Sequence, residues 1–211
     1  MTPRVAVLDY GSGNLHSVSR ALTRVGGAAV VTAGADQVRA ADALVIPGVG
    51  HFGQCVRALR AAGLEEAVRD FVGTGRPVVG VCVGMQILFE ASDEAEDPGL
   101  GLLEGRVGRL HGGPSTGGPA LKIPHMGWNT VSWTGRRHPY TAGIPDGTHF
   151  YFVHSFAPGL GPDTVGAAAH GRAFSAAVAR GNVFGTQFHP EKSGEAGLVL
   201  YENLVKEAAA A

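Results

Sequence analysis

The sequence predicts an α/β fold: a mostly parallel, doubly wound sheet with an antiparallel meander, in one domain over residues 1–211. Three observations predict it. Strand-like and helical segments alternate through the first half in the order β-α-β-α-β-α-β-α, which argues for a parallel sheet with its sites at the carboxyl edge. One of those strands ends at Gly80-Val81-Cys82-Val83-Gly84, a strand–tight turn–helix pattern. The second half turns to closely spaced strand candidates, the signature of a meander. No linker or internal repeat divides the chain.

The elements follow in order. Arg4-Val5-Ala6-Val7-Leu8 reads as a buried strand, and Leu15, Val18, Leu22 and Val25 after it fall at helical spacing. The loop between them holds Gly11 and Gly13 but lacks the third glycine of a dinucleotide loop, because position 16 is His. A surface loop at a strand end is the better reading. Ala28 to Thr32 and Ala43 to Ile46 are the next strands. Pro47-Gly48-Val49-Gly50-His51-Phe52 follows, where glycines around one amide could present an N–H to a ligand or simply turn the chain. Helices are expected from Gly53 to Ala61 and Leu64 to Val72, with Cys55 structural in the first. Val78 to Val81 is the fourth strand, and Met85 to Phe89 opens a helix. Glu90 to Asp97 is acidic and caps the site or faces solvent. Leu103 to Leu110 is a strand, and His111 to Pro119 a glycine-rich loop with no assigned role. Strands are expected at Thr130 to Trp133, Phe150 to Phe156, Val165 to His170, Ser175 to Ala179 and Val183 to Gln187. A closing helix spans Glu195 to Ala209, with Leu200, Tyr201, Leu204, Val205 and Ala208 inward.

Composition narrows the function. With 17 basic against 18 acidic residues and no basic block, nucleic acid is not an expected partner. No apolar run is long enough for a bilayer. Two cysteines make neither a disulfide framework nor a zinc pattern, which fits a reducing cytoplasm. The 9 histidines show no His-x-x-x-His helix, so neither a metal site nor a cofactor is expected.

Cys82 is the first chemical candidate. Glycines at 80 and 84 clear space around a strained turn, and a thiol at a helix N-terminus is favoured as thiolate. The Val83 amide beside it is placed for an oxyanion. Alone, a buried cysteine reads equally well as a small hydrophobe. A cysteine nucleophile needs a base, and His189 stands out, at a strand end with Glu191 two positions on. In an extended segment those two side chains point the same way, so Glu191 could fix the imidazole tautomer. His-Pro-Glu alone reads as a solvated loop; paired with an elbow cysteine it becomes a triad.

Gly80-Val81-Cys82-Val83-Gly84-Met85-Gln86 together with His189-Pro190-Glu191 resembles the class I, triad-type glutamine amidotransferases. Asp9 to Leu15, Pro47 to Phe52, Pro124-His125-Met126-Gly127-Trp128-Asn129, Tyr151 to Ser155 and His189 to Gly194 are similar to the glutaminase subunits of imidazole glycerol phosphate synthase. The resemblance covers essentially the whole chain. It implies a Cys82–His189–Glu191 triad that hydrolyses L-glutamine through a thioester, with an oxyanion held by the amides of Val49 and Val83. It implies glutamine binding near Gly48, Gly50, Gln86, Glu94, His154 and Ser155. It also implies a heterodimer with a (β/α)8-barrel cyclase that receives the ammonia, docked near Asn14, Trp128, Asn129, Tyr151 and Lys192. Val83 and Phe156 depart from the usual leucine and hydroxylated aromatic. A glutaminase for pyridoxal phosphate synthesis, a non-catalytic subunit and a thiol hydrolase are the competing readings.

Overall fold

The computed structural model describes residues 1–115, 118–135 and 138–211, with the backbone alone for 113–115 and 118–120. The first half follows its hydrophobic pattern. β1 (Arg4–Leu8), β2 (Ala28–Thr32), β3 (Ala43–Gly48) and β4 (Val78–Cys82) are joined by helices α1 (Leu15–Arg24), α2 (Ala35–Arg39), α3 (Phe52–Ala61) and α4 (Leu64–Gly73). The helix between β2 and β3 is so short that no periodic stripe announces it; only Val38 is buried. β3 and β4 are buried along their full length, as strands covered on both faces must be.

Past the elbow, the helix expected from Met85 is a single turn, α5 (Val83–Gln86), and Phe89–Ser92 forms β5. The acidic stretch therefore starts as a strand, pairing in parallel with β6 (Leu103–Arg109). The stretch expected as a glycine-rich loop contains a two-stranded ribbon, β7 (Gly113–Ser115) against β8 (Gly118–Leu121), while 116–117 lie outside the described residues. β9 (His125–Trp133) is longer than expected because it pairs residue by residue with β10 (Thr148–His154), and backbone pairing overrides its weak β pattern. The expected Phe150–Phe156 strand breaks at Ser155, and Phe156–Pro158 becomes β11 on β6. β12 (Thr164–His170), β13 (Arg172–Arg180) and β14 (Val183–Thr186) form the meander. α6 (Gly194–Ala210) closes the chain and buries the five residues expected on its inner face.

The strand order in the main sheet is β10-β9-β12-β13-β14-β4-β3-β1-β2. Its parallel half, β14 to β2, and its antiparallel half, β10 to β14, meet at β14. That junction positions the site. β14 runs parallel to β4 with Gly185 beside Gly80 and Thr186 beside Val81. Both strands therefore finish at the same edge, one at Cys82 and the other just before His189.

Candidate active site

Cys82 is the one non-glycine among the described residues with a left-handed backbone, at φ 55°. Strained backbone of this kind persists only where packing forces it, and it concentrates at functional sites. Packing does force it here. A Cβ on Gly84 would collide with the Ile46 carbonyl, and one on Gly48 with the Gly84 amide. The elbow thus presses directly onto β3. The glycines are needed for that approach, whereas the strain expected around them falls on Cys82 itself. With only one helical turn behind it, the thiol gains little from a macrodipole. Its electrostatic partner has to be a side chain.

That partner is His189. Its Nδ1 lies 2.8 Å from Glu191 Oε1, and both side chains are 1% exposed. The pair does not arise from an extended segment, as expected, because Pro190–Lys192 is a 3-10 turn that swings Glu191 back to the ring. Ser193 fastens the turn: its hydroxyl donates to His189 O at 2.6 Å and accepts from Tyr151 N at 3.0 Å. The glutamate acceptor makes Nδ1 the protonated nitrogen and leaves Nε2 for Cys82. Burial by itself lowers the basicity of His189, but the charge and hydrogen bonding of a Cys82 thiolate, followed by Glu191, outweigh it and raise the pKa to about 10. The His189 imidazole is therefore held protonated between Cys82 and Glu191.

Cys82 opens into a cavity of roughly 390 Å³. The cavity brings together Val49, Gly50, Val83, Gln86 and Glu94 with His154, Ser155, His189 and Lys192. Gly48 is not part of the wall; it is packed against Gly84 and Tyr10. Several expected substrate groups already have partners. Gln86 Nε2 donates to Phe156 O at 2.9 Å and to Gln187 Oε1 at 3.0 Å. Glu94 Oε2 accepts from Phe52 N at 2.7 Å, closing the start of α3. His154 uses both ring nitrogens, Nδ1 on Phe156 O and Nε2 on His125 Nδ1, each at 2.9 Å. It can offer the cavity a ring surface but no free nitrogen. Burial first, and neighbouring imidazoles second, push His154 down to about 3 and His125 down to about 4, so both rings are neutral.

The two expected oxyanion amides differ. Val83 N–H lies at the turn beside Cys82. The Val49 N–H instead donates to Ser12 Oγ at 3.1 Å, and the same hydroxyl lies 2.9 Å from Val49 O. Cys55 Sγ joins them, 3.3 Å from Ser12 Oγ and 3.5 Å from Val49 O. The N–H of residue 49 is thus committed to Ser12, and the Gly48–Val49 peptide has to leave that hydroxyl before the amide is free for another acceptor.

Among the expected docking residues, Trp128 is exposed and packs edge-on against Tyr151, with Lys192 Nζ 5.9 Å above the Tyr151 ring. Asn129 is tied into the sheet through His125 and Ala169 O. Asn14 turns inward, its Nδ2 at 3.5 Å from Glu191 Oε1, so it belongs with the His189–Glu191 pair as much as with the surface. Gln187 is a site residue that the sequence reading does not single out: its Nε2 lies 3.7 Å from Cys82 Sγ. Its place two residues before His189, at the end of a strand candidate, is the signal that could have found it.

The family model for class I glutamine amidotransferase matches residues 6–207. The protein of Chromobacterium violaceum called imidazole glycerol phosphate synthase subunit HisH is 47% identical, over 96% of this chain and 97% of that one. The Thermobifida fusca protein of the same name is 46% identical, over 97% and 99%. Among solved structures, PurLQS from Thermotoga maritima aligns with a TM-score of 0.74 over 98% of this chain and 99% of that one, at 21% identity, a likeness of fold alone. The chain therefore belongs to the class I glutamine amidotransferase family and, within it, to the HisH subunits of imidazole glycerol phosphate synthase.

Proposed function

We propose that residues 1–211 work as one glutaminase domain whose triad is Cys82, His189 and Glu191. The chain is a glutamine amidotransferase subunit that hydrolyses glutamine in histidine biosynthesis. The observation that carries the triad is the 2.8 Å contact from Glu191 to His189, with Cys82 strained at φ 55° beside the open cavity.

In this reading the Cys82 thiolate attacks the carboxamide carbon of glutamine. The C–N bond breaks as His189 gives its Nε2 proton to the leaving nitrogen, and ammonia departs from a γ-glutamyl thioester. His189 then takes a proton from water, which adds to the thioester; glutamate leaves and the thiolate returns. Glu191 holds the imidazole in its tautomer throughout. The oxyanion of both steps is held by Val83 N–H and, after rotation, Val49 N–H. Gln187 reaches the sulfur and holds Gln86 at the cavity wall.

The subunit name of the relatives implies a second chain. We assign it as a (β/α)8-barrel cyclase that combines the ammonia with its nucleotide substrate to give imidazole glycerol phosphate and aminoimidazole carboxamide ribotide. Ammonia in bulk water is mostly ammonium at neutral pH and no longer a nucleophile, so a closed route between sites is useful. Met126, Trp128 and Val49 are large apolar side chains exposed on the chain, and Lys192 lines the cavity mouth, which suits a covering partner. No helix among the described residues is long and apolar enough to cross a membrane.

The test is glutamate release from glutamine by the chain alone, with the matching cyclase, and with cyclase plus nucleotide substrate. Activity is expected to rise sharply in the last mixture and to vanish in Cys82→Ala, which should still bind the cyclase. Hydrolysis that survives Cys82→Ala would remove the nucleophile assignment.

A further inference from the structure

Three buried side-chain polar atoms lack a hydrogen-bond partner among the described residues: His189 Nε2, Glu191 Oε2 and Tyr201 Oη. The first faces the nucleophile it serves. The other two are complementary. A carboxylate oxygen can only accept, a phenol can donate, and a buried polar group left without a partner is costly. Glu191 places its other oxygen against His189 and Asn14, and its side chain is almost wholly buried.

The packing of α6 points the phenol toward that carboxylate. α6 lies against the His-Pro-Glu turn at Gly197, where a Cβ would run into the Pro190 carbonyl. Tyr201 is four residues further on and so shares this face. Helical side chains lean toward the N-terminus, so the ring extends over Gly197 toward Pro190 and Glu191. Tyr201 is fully buried there.

We propose that Tyr201 is a positioning residue for the triad: its hydroxyl donates to Glu191 Oε2 across one bridging water and fixes the carboxylate plane from which Oε1 accepts the His189 proton. Burial, followed by the Glu191 charge, holds the phenol well above its ordinary range, so it stays a donor at every working pH. The carboxylate would then be gripped at both oxygens, and the imidazolium formed during turnover would meet a partner unable to rotate away.

The proposal rests on the triad reading, and the test separates the two. Glutamate release is measured for the chain with its cyclase partner in Cys82→Ala, Tyr201→Phe, Glu191→Gln and the Tyr201→Phe/Glu191→Gln pair. The low-field proton NMR signal of His189 Nδ1–H is followed in the wild type and Tyr201→Phe. Loss of activity in Cys82→Ala establishes Cys82 as the nucleophile, and a loss in Glu191→Gln establishes that the carboxylate serves it. Tyr201→Phe is then expected to lower kcat about three- to tenfold, with KM for glutamine changed by less than about twofold. The Nδ1–H signal should move, and Tyr201→Phe should add no further loss once residue 191 is Gln. Unchanged kcat with an unmoved signal overturns the proposal; removing a merely packed, unpaired hydroxyl would leave the chemistry alone. An equal loss in both backgrounds also overturns it, because the effect would then not pass through Glu191. Activity that survives Cys82→Ala overturns the triad first and leaves Tyr201 nothing to position.

Discussion

At the scale of single residues, the site depends on where side chains are missing. Gly84 can approach β3 because it has no Cβ, and that approach helps hold Cys82 in its left-handed conformation. Gly84→Ala should therefore destabilise the fold by about 2 kcal/mol or more, since the colliding atom is backbone and cannot swing aside. Denaturant unfolding of the purified variant measures this directly; a loss below about 0.5 kcal/mol, the range of a neutral surface change, would show that the elbow yields without cost. Gly80 and Gly84 are legible in the amino-acid sequence as marks of a strained turn, and Cys82 with them. The physical role of Gly84 is not, because the atom it avoids belongs to Ile46, on another strand. The same holds for the polar shell. His189 and Glu191 are two apart and visible as a pair, whereas Asn14 and Gln187 reach the triad only through the tertiary fold. Their partners are fixed by which strands lie side by side, and a local pattern carries no record of that.

At the scale of elements, the segment after β3 is tied down by side chains from two other elements. Both polar groups of Val49 end on Ser12, a residue of the β1–α1 loop, and Cys55 from α3 backs them. Two elements thus hold the peptides on either side of residue 49, and the hydroxyl of Ser12 takes the N–H proposed to serve an oxyanion. Val49 is also one of the exposed apolar residues, which would let a docking partner act on this segment directly. Ser12→Ala removes the grip without touching the triad. Glutamine hydrolysis by the isolated chain should then rise about threefold or more, short of the roughly hundredfold or greater effect of one whole oxyanion donor. The rate in the cyclase complex should change less, because docking on the exposed Val49 is expected to turn the peptide already. An isolated-chain rate that stays the same or falls would show that Ser12 does not restrain the loop. The elements that sequence patterns capture are those with buried β-branched runs or a clear helical stripe, such as β3, β4 and α6. Those they miss or mis-size are α2, β5 and β9, which are short or poor in β-branched residues and exist because a neighbour pairs with them or covers them.

At the scale of the whole molecule, the two halves of the sheet respond to pH in opposite directions. The parallel half ends at the Cys82–His189 pair. With its pKa raised to about 10, His189 contributes stability that is complete below the ordinary histidine value of 6.5 and is lost as pH rises through about 10. The antiparallel half carries the neutral imidazoles. His154 donates to Phe156 O, so its Nε2 accepts from His125 Nδ1–H, and His125 Nε2 accepts in turn from Asn129. His170 stacks on His125 at 4.3 Å and disfavours a charge there. Protonating either linked ring puts a donor against a donor. The unfolded chain has no such restriction and takes up protons as pH falls below 6.5, while the folded chain resists until about 4 at His125 and about 3 at His154. Unfolding then binds protons, so stability has to fall with pH across that window, by about 3 kcal/mol for one fully protected ring at pH 4.5. His125→Gln removes one titrating ring and keeps an amide that can donate to His154. It should lower stability at pH 7.5 but flatten the decline between pH 6.5 and 4.5, read from denaturant midpoints at a series of pH values. A decline as steep as that of the wild type would mean that the acid sensitivity lies with other groups and that the buried imidazole chain is only packing.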